Sequence, residues 1–96
     1  MNFSYSNCGS DKTDIGIIKP NWINNTLEIK TVIEINCAEK ILNGTYSIIG
    51  NKIIFEYTKK KCKICTTCMC YRELSYKLTN IEKKGYEFKL KENIIS

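Results

Sequence analysis

Hydrophobic and polar residues alternate along much of the chain with the two-residue period of half-buried β strands. The clearest alternation begins at Leu27, where one side of the segment is apolar except for a threonine and the other is mostly polar, apart from Val32. The inward side consists of Leu27, Ile29, Thr31, Ile33, Ile35 and Cys37. Cys37 is therefore expected on the face that enters the core.

A β hairpin is predicted next along the chain. Residues 45–49 and 52–58 are rich in β-branched and aromatic side chains. Gly50 and Asn51, which separate them, favour a two-residue hairpin turn.

Two further strands are expected in the C-terminal half. In the first, Leu74, Tyr76 and Leu78 form the inward side. The same alternation, extended towards the N-terminus, places Cys68 and Cys70 on that side as well. The second follows a turn at residues 80–85, and its inward side is Tyr86, Phe88 and Leu90. Several strands with turns between them predict an all-β fold, an antiparallel sandwich.

Chain length and local composition set the expected domain organisation. A chain of 96 residues holds one compact core. Residues 1–21 are dominated by Asn, Ser, Gly and Asp and contain the only proline, so we expect a flexible N-terminal arm or loop. Residues 22–96 are expected to form the single sandwich domain.

Positive charge is concentrated in one short segment. The net charge is +5, but without Lys59, Lys60, Lys61 and Lys63 the chain has 11 basic residues (15 minus 4) against 10 acidic ones. This segment is either a solvated loop or a contact for phosphates, with Tyr57 and Tyr71 flanking it. A single arginine, Arg72, gives little capacity for bidentate base recognition, so a nucleic-acid partner is disfavoured.

Several classes of function are excluded or disfavoured by composition. The chain has no histidine, which excludes Ser-His and Cys-His catalysis and every His-ligated metal site. Its glutamates form no convincing catalytic pair, so an enzyme is not expected. No apolar run approaches the ~20 residues of a transmembrane helix, and residues 1–14 lack the apolar segment of a secretory signal.

One part of the chain resembles a known family. Asn36-Cys37, followed by Cys65-x-x-Cys68-Met-Cys70-Tyr-Arg-Glu-Leu-Ser-Tyr76, resembles the motif of small, often lipid-anchored secreted bacterial and archaeal Ig-like domains. The segment from Leu74 to Phe88 is similar to the last two strands of Ig-like and fibronectin-III-like domains, with Tyr86 as their corner tyrosine. The resemblance implies that the Tyr86 ring lies in the core and that its hydroxyl bonds to a nearby backbone group. The resemblance covers about residues 22–90, and Glu73 replaces the usual aspartate.

The family resemblance implies an exported or surface-attached domain with a structural or binding role and no established activity. The partner would be an unknown protein or a surface. A cytoplasmic location is the alternative, because the chain shows no signal segment.

The six cysteines allow more than one chemistry. In the first, they form disulfides, with inward-facing Cys37 bridged to Cys68 or Cys70 and the connectivity otherwise open. The complete set for this hypothesis is Cys8, Cys37, Cys62, Cys65, Cys68 and Cys70. The expected protein is then a cysteine-stapled, non-catalytic module without a cofactor.

The alternative is a zinc-thiolate domain that binds protein or nucleic acid. Its site, built from four cysteine thiolates, would draw its ligands from Cys37, Cys62, Cys65, Cys68 and Cys70, with Cys8 as a further candidate. An iron-sulfur cluster is disfavoured because the usual final Cys-Pro is absent. Thiol redox catalysis by Cys62 and Cys65 is disfavoured because their pair lies in a link between strands.

Overall fold

The computed structural model describes residues 1–9 and 15–96, and they form two β sheets packed as a sandwich. The strands are β1 (Asn2–Tyr5), β2 (Lys19–Ile23), β3 (Thr26–Asn36), β4 (Lys40–Ile49), β5 (Lys52–Lys60), β6 (Met69–Leu78) and β7 (Glu87–Ile95). The predicted all-β sandwich is confirmed.

The two sheets differ in how their strands pair. The four-stranded sheet has the order β1-β6-β3-β2 and is antiparallel throughout. The three-stranded sheet has the order β4-β5-β7, and its β5 and β7 run parallel. The chain crosses between sheets twice after β5, and each crossing reverses its direction, so β7 returns parallel to β5. The prediction that all strands pair antiparallel was therefore wrong for β5 and β7.

The core contains the residues that the alternation placed inward. Leu27, Ile29 and Ile35 of β3 are almost fully buried, and so are Leu74 and Tyr76 of β6. Burying such side chains stabilises the fold by roughly 1.5 to 3 kcal/mol each. The remaining buried apolar residues are Ile33, Ile41, Ile53, Phe55, Tyr57, Cys70, Leu78 and Ile81.

The β4–β5 hairpin forms at the predicted turn. Ile49 pairs with Lys52, and Gly50 has a φ of 58°. A positive φ is unfavourable for most residues but not for glycine, which explains Gly50 at this position.

The N-terminal segment is not an arm along its whole length. Asn2–Tyr5 pairs with β6, and Lys19–Ile23 pairs with β3, so both belong to the four-stranded sheet. Phe3 also packs on the Tyr76 ring, and a side chain at Gly44 of β4 would collide with the Phe3 ring. The structure corrects the arm prediction for these residues, and residues 10–14 lie outside the described part.

Two tyrosines occupy different positions in the sandwich. The Tyr76 hydroxyl donates a hydrogen bond to the Glu56 carbonyl at 2.5 Å, which joins the two sheets. Tyr86 is half-buried and stacks on Trp22, with ring centroids 6.3 Å apart. Within residues 1–9 and 15–96, the tyrosine whose hydroxyl donates to a backbone carbonyl is therefore Tyr76 and not Tyr86.

Candidate functional site at the cysteine-rich end

Cys37 and Cys68 lie opposite each other where β3 ends and β6 is about to begin. The ladder pairs Asn36 with Met69, and the Cys37 amide donates to the Cys68 carbonyl at 3.0 Å. Their Cα atoms are 5.5 Å apart and their sulfurs are at disulfide distance. The structure thus brings Cys37 to one of its two expected partners. Cys68 itself is exposed and precedes β6, so the prediction that it faces the core was wrong.

Cys8 and Cys70 form a second pair at disulfide distance, with Cα atoms 5.3 Å apart. The chain after β1 is held against β6 by the Gly9 amide, which donates to the Tyr71 carbonyl at 2.9 Å. This backbone contact places exposed Cys8 beside Cys70, which is only 4% exposed. The N-terminal segment is therefore held to the core strand through both its backbone and its sulfur.

Cys62 and Cys65 form the third pair, with Cα atoms 5.3 Å apart, in the link between β5 and β6. All six cysteines are thus at pairing distance from another cysteine. Ile64 lies between these two cysteines and is 89% exposed, the highest exposure of any large apolar side chain in the described residues.

Three sulfur atoms from the first two pairs form a cluster. The Sγ atoms of Cys8, Cys37 and Cys70 all lie within 4.8 Å of one another. Within residues 1–9 and 15–96, Cys62 and Cys65 belong to no group of three or more possible metal ligands. The zinc hypothesis had included both of them and had given Cys8 a minor place.

A buried asparagine joins β3 to the cysteine-containing link. Asn36 is 8% exposed, and its Nδ2 atom donates to the Thr66 carbonyl at 2.8 Å. Its Oδ1 atom accepts from the Ala38 amide at 3.0 Å. The alternation had assigned Asn36 to the outward face, and only the folded link between β5 and β6 buries it.

An ion cluster closes the interior beside these contacts. The ammonium group of Lys59 lies 2.8 Å from Glu92 and 3.2 Å from Glu39, and its side chain is 13% exposed. The Glu39 carboxylate also accepts from the Asn36 amide at 3.1 Å. Sequence reasoning missed these partners, although a signal existed. Ile53, Phe55 and Tyr57 face inward on β5, and the same parity places Lys59 inward.

The ion cluster changes the proton affinity of two groups. Burial alone lowers the pKa of Lys59, but hydrogen bonds to Glu92 and Glu39 and their charges outweigh it, so the net pKa is raised. Burial first, and then the nearby carboxylates of Glu92 and Glu39, together raise the pKa of Tyr57 to about 12. At neutral pH the cluster therefore consists of a charged lysine and a neutral tyrosine beside two carboxylates.

The lysine segment is divided by the fold. Lys59 faces the interior, whereas Lys40, Lys60, Lys61 and Lys63 line a cavity of about 210 Å³ together with Ala38 and Cys62. Tyr57 is buried, and the Tyr71 side chain hydrogen bonds to Glu34. The two tyrosines expected to flank a phosphate contact are thus engaged elsewhere.

The chain matches no protein-family model, no curated protein and no solved structure. The resemblance to Ig-like domains therefore stays a prediction from the sequence motif. Residues 1–9 and 15–96 include no helix with the length and apolar character needed to cross a bilayer.

Proposed function

We propose that this protein is a non-catalytic structural or binding module, stapled by disulfides and working outside the reducing cytoplasm, either exported or attached to a surface. The observation that supports this most directly is the arrangement of the six cysteines as three pairs at disulfide distance. In this proposal the module is an Ig-like domain, and its partner is a protein or a surface.

The need for staples follows from chain size. A chain of 96 residues buries only somewhat more than ~60% of the surface that its unfolded form exposes. Cys8 and Cys70 are 62 residues apart, and Cys37 and Cys68 are 31 residues apart. Closing loops of these lengths stabilises a fold by about 4 kcal/mol each on the chain-entropy scale, and somewhat less when one loop lies inside the other.

The proposed location rests on redox chemistry and on the family resemblance. Disulfides persist in oxidising compartments and are rare where thiols are kept reduced. A small domain that depends on three of them suits an exported or surface-attached protein, which is also what the resemblance of Asn36-Cys37 and the Cys65–Tyr76 segment implies.

Intact mass measured with and without reductant tests this proposal. Protein isolated from its own compartment, with thiols blocked at lysis, should gain six hydrogens on reduction, two for each of three pairs. Peptide mapping should then recover Cys8 with Cys70, Cys37 with Cys68, and Cys62 with Cys65. Six blocked thiols in the isolated protein would contradict it.

The cluster of Cys8, Cys37 and Cys70 sulfurs favours one second candidate, the zinc-thiolate domain that binds protein or nucleic acid. Tetrahedral zinc bound by thiolates at ~2.3 Å needs sulfurs roughly 3.8 Å apart. The three sulfurs lie within 4.8 Å of one another, so the reduced Cys8–Cys70 pair would have to separate only slightly to bind the metal with Cys37. In this candidate Cys68, the partner of Cys37, supplies the fourth thiolate.

The zinc and free-thiol content of the purified protein, together with zinc titration of the reduced variants, separates the two candidates. If zinc is native, protein purified without reductant should contain one equivalent that a chelator removes, and C8S should abolish binding while C62S/C65S should not. Metal-free protein with no thiols reactive to Ellman's reagent would exclude this second candidate.

A further inference from the structure

Two sets of four lysines differ in their surroundings. Four exposed lysines lie within 4.0 Å of a glutamate: Lys52 and Lys89 near Glu87, Lys77 near Glu28, and Lys91 near Glu56. In contrast, Lys40, Lys60, Lys61 and Lys63 have no ion pair within the described residues. The cavity that these four line has no acidic side chain among its lining residues.

The register of the three-stranded sheet increases the repulsion at this cavity. Lys40 lies directly opposite Lys60 in the antiparallel β4–β5 ladder. Like charges in this position destabilise a sheet, whereas opposite charges stabilise it. The nearby Glu39 and Glu92 cannot relieve the repulsion, because both are paired with inward-facing Lys59. A negative group from outside the chain would relieve it.

Exposed apolar side chains lie among these lysines. Ile64 is at the tip of the four-residue loop closed by Cys62 and Cys65, between Lys63 and the rest of the cysteine-containing link. Ile95 pairs with Lys60 on the neighbouring strand, its carbonyl accepts from the Lys61 amide at 2.8 Å, and it is 45% exposed. Lysines interleaved with exposed isoleucines are the composition that anionic bilayers attract.

We propose that the lysine cavity and the Ile64 loop together form a docking surface for an anionic lipid bilayer. The four lysines contact headgroup phosphates, and Ile64 enters the boundary between headgroups and acyl chains. A nucleic acid fits less well, because Tyr57 and Tyr71 are engaged elsewhere and the Arg72 side chain donates to the Ser6 carbonyl at 3.0 Å. The inference rests on the binding role proposed above and names its partner. It can fail separately, because vesicle binding does not report disulfide content.

Vesicle flotation with charge-matched variants tests the lysines. The unmodified protein should float with vesicles of equal parts phosphatidylcholine and phosphatidylglycerol, and not with phosphatidylcholine alone. The variant K40Q/K60Q/K61Q/K63Q should bind several hundredfold more weakly, since each lysine near an anionic surface contributes about fivefold. The control K52Q/K77Q/K89Q/K91Q has the same net charge, +5 minus 4, or +1, but keeps the cavity. It should retain most binding, and equal losses in both variants would overturn the proposal.

The apolar tip distinguishes a bilayer from a soluble polyanion. Ile64→Ser should weaken binding to the anionic vesicles by about tenfold. The same change should leave retention on a heparin column unaltered, because that matrix offers sulfates without an apolar layer. Vesicle binding that is insensitive to Ile64→Ser would reduce the surface to a general polyanion contact and overturn the bilayer assignment. The absence of any flotation by the unmodified protein would also overturn it.

Discussion

At the hairpin end of the sandwich, around the Gly50 turn, apolar side chains close the core, whereas at the cysteine-rich end sulfur pairs, an amide network and an ion cluster do so. Ile81 is buried at the hairpin end, where its amide donates to the Asn25 carbonyl at 3.0 Å, and Trp22 stacks on Tyr86 beside it. The opposite end depends on Cys37, Asn36 and Lys59 and their partners.

This difference implies that the two ends respond to different conditions. Apolar burial is insensitive to redox state and to pH, so the hairpin end should be closed under all conditions in which the chain folds. The cysteine-rich end should loosen when its disulfides are reduced or when its ion cluster changes protonation. The sandwich therefore combines a stable end with one whose structure depends on its surroundings.

Of the substitutions that test this difference, removal of the Cys37–Cys68 pair should have the largest effect. The variant C37S/C68S should lose about 2 to 5 kcal/mol of unfolding free energy, because the loop between the end of β3 and the start of β6 is no longer closed. C62S/C65S is the matched control, since it removes a pair only three residues apart and should lose about half as much or less. Guanidinium unfolding without reductant measures both. Equal losses would mean that loop closure is not what these pairs contribute.

Ile81→Ala tests the apolar end and should cost about 2 to 4 kcal/mol by leaving a cavity beside the core cluster to which Ile81 belongs. The loss should be the same with and without reductant, because no cysteine lies at that end. Ile64→Ala serves as the exposed control and should change stability little. If reductant altered the cost of Ile81→Ala by more than about 1 kcal/mol, the two ends would be coupled and the comparison would not hold.

Alkaline pH should destabilise the cysteine-rich end through Tyr57. Its pKa is raised from 10.0 to about 12 in the folded protein, so the stability it contributes is fully present below pH 10 and is lost as pH rises through about 12. A shift of this size corresponds to about 2 to 3 kcal/mol, and the raised pKa of Lys59 acts in the same direction.

Tyr57→Phe should make this part of the stability profile less steep, whereas Tyr46→Phe, at an exposed position of β4, should leave it unchanged. The remaining slope comes from Lys59 and from buried Tyr76, whose pKa is also raised by burial. Unfolding free energies measured at several pH values from neutral upward would show it. Identical profiles for Tyr57→Phe and the unmodified protein would contradict the contribution assigned to the burial of Tyr57 beside Glu92 and Glu39.

The hairpin end and the strands could be predicted because they depend on local pattern. Alternation placed Leu27 and Leu74 in the core, and the glycine-containing turn located the hairpin. Strand β1 was missed because four residues among polar neighbours do not show a period by themselves. Its position depends on Phe3 packing on Tyr76 and beside Gly44, which are distant in sequence.

The cysteine-rich end could be predicted only in part. Parity brought Cys37 towards the start of β6, but it did not separate Cys68 from Cys70 as its partner. That choice depends on how the polar segment around Cys8 runs beside Tyr71. The ion cluster was missed for a related reason. A run of lysines suggests solvent, while the parity that turns Lys59 inward matters only once Glu39 and Glu92 are known to be near.

The smallest expected effect separates two tyrosines that a sequence motif alone would confuse. The motif pointed to Tyr86 as the residue whose hydroxyl bonds to the backbone, but in the structure the Tyr76 hydroxyl does so, at Glu56. Tyr76→Phe should cost about 0.5 to 1.5 kcal/mol because it removes that bond from a buried site. Tyr86→Phe should stay within about 0.5 kcal/mol, since it keeps the ring stacked on Trp22. Thermal and denaturant unfolding of the two variants side by side would decide this. A larger loss for Tyr86→Phe than for Tyr76→Phe would restore the corner assignment and place a hydrogen-bonded hydroxyl at the hairpin end, which would then no longer be closed by apolar contacts alone.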